Sequence, residues 1–159
     1  MANLGSYTTT EAVRGCLGVD EDDIPDAYMV DSKLDVELTV DLDSWLATHA
    51  ALYAAGTAVS PTAEEAAIAA KISLYAQWFC ALELANRPMT LPQNNSDGKA
   101  QFTRFKVDFA KVAELAAAKV AKYRAALAED VGSGGTATPV ISLLSVGVPS
   151  VDPITEGLQ

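Results

Sequence analysis

Few residues of this chain are of a type and spacing that could do chemistry. His49 is its only histidine, and no serine or cysteine lies near it in a nucleophile motif. An imidazole without a neighbouring nucleophile has nothing to activate, so we read His49 as a packed helix residue. The acidic run Asp20, Glu21, Asp22 and Asp23 has the charge for calcium, yet it lacks the glycine and the distal glutamate of a twelve-residue calcium loop. A solvated turn is the expectation there. Gly132, Gly134 and Gly135 are followed by no Lys-Ser or Lys-Thr pair, which removes a phosphate loop. Cys16 and Cys80 are the only cysteines; far apart, they form neither a disulfide framework nor a metal-ligand spacing, and both read as small buried hydrophobes in a reducing compartment. No catalytic, metal or cofactor site is expected, and the chain reads as a non-enzyme.

The 159 residues suit one domain and a tail, which we divide as 1–130 and 131–159. Half of them are hydrophobic, but many are alanines between residues 47 and 128, a composition that favours close-packed helices. The formal net charge of -10 argues against general affinity for nucleic acid or anionic membrane. Its distribution is uneven. Residues 1–43 hold eleven acidic side chains against Arg14 and Lys33, a balance of -9. Residues 99–124 hold Lys99, Arg104, Lys106, Lys111, Lys119, Lys122 and Arg124 against Asp108 and Glu114, a balance of +5. Two solvated faces, or complementary surfaces in an assembly, would both produce this split. No apolar run approaches the ~20 residues of a membrane span, and no basic start precedes an apolar core as in a signal peptide.

The elements that would carry these residues are mostly helical. Thr8 and Glu11 have capping-box spacing before a short helix over 9–17, which Gly18 stops. Pro25 suits the start of a second, brief helix. Over 35–43, Val36, Leu38, Val40 and Leu42 alternate with acidic or polar residues, and we read a short strand near 34–42; Leu34, Leu38, Leu42 and Trp45 support a competing helix. From Ser44, the residues Trp45, Leu46, His49, Leu52 and Tyr53 share a helical face that ends near Gly56. Ser60, Pro61 and the following Glu64 and Glu65 open a long helix to about Asn86. That helix is apolar on two sides: Ile68, Ile72, Tyr75, Phe79 and Leu82 on one, Leu74, Trp78, Ala81 and Ala85 on the other.

Prolines at 88 and 92 make 87–96 a loop, which carries Met89 and Leu91 as contact residues. A final helix of roughly eight or nine turns is expected over 97–130, capped by Ser96 or Asp97. Its apolar stripe comprises Phe102, Phe105, Phe109, Val112, Ala116, Val120, Tyr123 and Leu127. The fold class is therefore mainly α, a small helical bundle built on a long antiparallel helix hairpin. Beyond the Gly-rich hinge at 132–135, Val140, Ile141, Leu143, Leu144, Val146, Val148, Val151 and Ile154 make an extended, apolar, β-prone tail. So apolar a tail is expected to dock on its own domain or on a partner.

Three blocks, in order, resemble the head-to-tail connector (adaptor) proteins of tailed bacteriophages. The first is residues 7–25, with Val13-Arg14, the stop at Leu17-Gly18, the acidic turn and the start at Pro25-Asp26. The second is Ile72-Ser73-Leu74-Tyr75-Ala76-Gln77-Trp78-Phe79. The third is Leu91-Pro92 followed by residues 96–105. The resemblance implies a structural virion subunit at the head-tail junction, assembled in the host cytoplasm. It further implies a homo-oligomeric ring, usually twelvefold, beneath the portal, through which DNA would pass without sequence-specific binding. On that reading Tyr75, Trp78 and Phe79 pack between subunits, the basic residues of 99–124 form a contact surface, and the tail grips portal protein or tail components. A helical-bundle regulator that binds a partner through its tail is the competing function.

Overall fold

The first helix forms where a threonine hydroxyl and a glycine bound it. In the computed structural model, which describes residues 2–87, 94–96, 101–103 and 108–132, helix α1 is Thr10–Leu17. Thr9 is its cap: the backbone there is extended, and its hydroxyl accepts from the Ala12 amide at 3.3 Å. Gly18, at φ 70°, closes the helix in the left-handed conformation that glycine adopts without strain. The cap thus falls one residue later than Thr8. Thr8 is drawn away by a two-stranded ladder, β1 (Asn3–Leu4) against β2 (Thr8–Thr9), that pairs it with Leu4 and buries its hydroxyl with no partner among the described residues.

Helix α2 (Asp26–Asp31) is brief, and Lys33 at φ 54° turns the chain into α3 (Leu34–Trp45). The strand expected near 34–42 is therefore corrected to helix. A strand would set Val36, Leu38, Val40 and Leu42 on one face, and among the described residues no strand pairs with them. The helix instead buries Leu34, Leu38 and Leu42 and leaves Val36 and Val40 53% and 65% exposed. α3 also takes in Trp45, and α4 (His49–Gly56) begins only after a break at Leu46, five residues later than the composition shift at Ser44.

Helix α5 (Ala63–Ala85) is the centre of the fold. Its cap is Thr62 and not Ser60, with a reciprocal box: the Glu65 amide donates to the Thr62 hydroxyl at 3.2 Å, and the Thr62 amide to the Glu65 carboxylate at 2.8 Å. Ile68, Ile72, Tyr75, Ala76, Cys80, Ala81 and Leu84 are buried along it, and α1, α3, α4 and the last helix all pack on it.

The last helix, α6 (Phe109–Gly132), starts twelve residues later than position 97. Gln101–Thr103 (β4) pairs antiparallel with Asn94–Ser96 (β3), so Phe102 belongs to a hairpin and Phe109, Ala116 and Leu127 are the buried residues of the helical stripe. The side chain of Asp108 caps α6, accepting from the Lys111 amide at 3.4 Å. α5 and α6 run antiparallel: Lys71 pairs with Asp130, while Trp78, further along α5, lies beside Lys119, further back along α6. Gly132 closes α6, and the rest of the hinge and the tail lie outside the described residues.

Two helical glycines make opposite demands. A β-carbon at Gly56 would lie 2.2 Å from the Glu65 carbonyl oxygen and 2.5 Å from the Ala69 β-carbon, whereas at Gly15 it would meet nothing within 4 Å. Gly56→Ala should therefore lower stability to urea by ~2 kcal/mol through overpacking. Gly15→Ala should raise it by ~0.5 to 1 kcal/mol through helix propensity alone.

Candidate functional site

Side chains that looked isolated along the chain meet in space. The Tyr7 hydroxyl lies 2.7 Å from Nδ1 of His49, whose Nε2 is 2.9 Å from the Asp43 carboxylate. Tyr7 also meets the Tyr53 ring edge-on at 4.9 Å. A hydroxyl, an imidazole and a carboxylate in this order have the connectivity of a nucleophile relay. Here, however, burial and then Asp43 push the Tyr7 pKa up, against the deprotonation a nucleophile needs. A neutral imidazole protonated on Nε2 satisfies both hydrogen bonds at once. The chain ties the N-terminal turn to the corner between α3 and α4, with His49 only 4% exposed. Sequence reasoning placed His49 in the core and missed its partner, because Tyr7 is 42 positions away.

A second lock occupies the acidic turn. Arg14, 6% exposed, donates through Nη1 to the Ile24 carbonyl at 3.0 Å and to Asp26 at 2.7 Å. Hydrogen bonds from Thr10 and then Arg14 hold the Asp26 carboxyl well below the usual carboxylate range. Asp20 and Asp23 each accept from the other's amide, at 3.0 and 3.4 Å, so two of the four acids shape the turn themselves. Beside it a shallow cavity of about 440 Å³ is lined by Glu11, Arg14, Gly15, Val19, Asp20 and Glu21. Among the described residues no group of three or more His, Cys, Asp or Glu is placed to hold a metal.

A third lock joins α5 to α3. The Tyr75 hydroxyl donates to Asp41, which also accepts from Trp45 Nε1 at 3.1 Å. The Tyr75 ring meets Trp45 edge-on at 5.2 Å and stacks on Phe79 at 6.1 Å. With 1% of its surface exposed, Tyr75 has no ring face to offer a neighbouring subunit, and its expected place between subunits is corrected to the chain's own core. Trp78 and Phe79 are half-buried and retain accessible surface. At the end of α5, Arg87 grips both Glu37 oxygens at 2.6 and 2.5 Å and the Ser32 carbonyl at 3.2 Å.

The basic face of α6 is engaged within the chain. Lys119 sits 5.8 Å from the Trp78 ring centre, Arg124 4.9 Å from that of Trp45, and Lys122 5.8 Å from that of Tyr123. Lys111 pairs with Asp108 at 3.2 Å. Lys99, Arg104, Lys106, Met89, Leu91 and the tail residues Val140, Ile141, Leu143, Leu144, Val146, Val148, Val151 and Ile154 lie outside the described residues. Large apolar side chains stand exposed at Val30, Val36 and Val40 in the acidic part of the chain, at Val59 before α5, and at Leu115 on α6 itself. No described helix is long and apolar enough to cross a membrane. Comparison with protein-family models, curated proteins and solved structures returns no match.

The lowered Asp26 pKa carries a sign. A carboxyl that resists protonation when folded stabilises the fold above its unfolded pKa, near 4, and loses that contribution as pH falls through its folded value. The melting temperature of the native protein should fall on acidification below roughly pH 4, and that of Asp26→Asn, lower at pH 7, should converge on it.

Proposed function

We propose that this chain is a structural, non-enzymatic subunit of the head-to-tail connector of a tailed bacteriophage. Copies of it would form a ring that joins the portal to the tail. The observation that carries the reading is the unit formed by the residues of the first resembling block. Val13 and Leu17 enter the core, Arg14 is buried on Asp26, and Gly18 turns the chain at positive φ. Val13-Arg14, Leu17-Gly18 and Pro25-Asp26 thus answer to a tertiary lock. A packing role for the residues of that block is what supports the reading.

The body behind that lock suits the role. A helix hairpin tied at its open end by Lys71 with Asp130, with the end of α5 fastened to α3 by Arg87 with Glu37, is a block that can repeat around an axis. Half-buried Trp78 and Phe79, the loop residues Met89 and Leu91, and the apolar tail supply surfaces for neighbours. On this reading the protein functions in the virion, at the head-tail junction.

Co-expression with the portal protein of the same virus tests it. The chain should co-purify with the portal, and electron microscopy should show an added ring on the portal's tail-facing end, twelvefold by the family resemblance. A chain that stays monomeric beside assembled portal and tail components would overturn the proposal.

A further inference from the structure

We propose that the outward face of α3 pairs with the same face of a second copy of this chain, antiparallel, about a twofold axis at the level of Leu38. Lys33, Val36, Val40 and Asp43 follow one another at spacings of three, four and three along α3 and its entry, and so share one stripe of the helix surface. Leu34, Leu38 and Leu42 hold the other side of the helix in the core, so this stripe faces out. Val36 and Val40 are more than half exposed, and Lys33 and Asp43 stand exposed with them. The Lys33 amide donates to the Val30 carbonyl at 3.1 Å, which brings the exposed Val30 to the lysine end of the face.

Reversed, the stripe is its own complement. An axis at Leu38 sets position 36 against 40 and position 33 against 43, so the valines of one copy pack on those of its mate and a lysine meets an aspartate at each end. A parallel pairing would instead set Lys33 against Lys33 and Asp43 against Asp43. Sliding the axis to Val40 opposes Asp43 with Glu37, and sliding it to Val36 leaves Lys33 against Thr39 and Val40 against Ser32. The end groups are open to a partner. Among the described residues no carboxylate pairs with Lys33. Asp43 gives one oxygen to His49 Nε2 at 2.9 Å, but 61% of its side chain is exposed, which leaves the other oxygen for a lysine. The face is small and two copies at -10 each repel, so the dimer is expected only at high concentration. An isologous contact closes at two copies, so this pairing is a state of the free chain and does not rest on the connector reading, whose ring needs a heterologous contact elsewhere.

Sedimentation equilibrium of the full chain at ~0.15 M salt, where distant charges are screened, should show monomer giving way to dimer as concentration rises. Val36→Ser with Val40→Ser should weaken that dimer at least about tenfold, and Lys33→Glu at least about threefold, with circular dichroism unchanged because all three positions are exposed. p-Benzoylphenylalanine at Val36, in an equal mixture of 14N- and 15N-labelled protein, should on irradiation give mixed-isotope crosslinks centred on Val40 of the mate. Should a serine or glutamate variant misfold, this crosslink still decides. A chain that stays monomeric, a folded serine variant that dimerises as well as the native chain, or mixed crosslinks centred on Val36 or within residues 133–159 would each overturn the contact. None of these outcomes bears on assembly with portal protein.

Discussion

The structure depends on one constraint: α5 is apolar on two sides and must be covered on both. A helix with a single apolar stripe can lie on a bundle's surface, whereas one with two must run through it. α6, α4, α1 and α3 all pack on it. The neighbours are correspondingly small where they approach. Gly56 of α4 meets the α5 backbone where no side chain would fit, and Ala76, Ala81 and Ala85 leave room for the helices across from them. The alanine content is thus a packing requirement of the central helix.

Around this core, charged side chains work as fasteners. Arg14 holds the acidic turn, Arg87 the corner between α2 and α3, Asp41 the junction of α3 with α5, and Lys71 the far end of α6. Each joins segments that the apolar contacts bring near but do not orient. Of these, Arg14 is buried, and a buried charge is costly to leave unpaired, so its lock selects one arrangement of the acidic turn; the part-exposed pairs fix geometry more than they add stability. The cations of α6, folded over Trp45, Trp78 and Tyr123, extend the same logic to aromatic faces.

What was legible in the sequence follows from what periodicity encodes. The doubly apolar stretch from Ile68 to Ala85 announced α5, and Gly18 and Glu65 sat where helix boundaries need them. The misreadings share a cause. At 34–42 a period of two and a period of four coexisted, and the choice between them lay in long-range packing: the core takes Leu34, Leu38 and Leu42, and among the described residues no strand pairs with the segment. Phe102 and Phe105 continued the spacing of the α6 stripe, but spacing is silent about a hairpin that ends before the helix begins. The cap at Thr9 could not be told from Thr8 without the pairing of Leu4. Of the candidate site, Tyr75 reads as a contact residue in sequence because an aromatic on a helix face looks the same whether the face meets its own chain or another.

The two tryptophans give the fold a property of its own. Trp45, on α3, and Trp78, on α5, are the only indoles in the chain, and each has a cation of α6 above its ring. Both chromophores therefore sense the same event, the lifting of α6 from the rest of the bundle. The molecule carries a built-in optical gauge of whether its two long helices remain docked, without any added label.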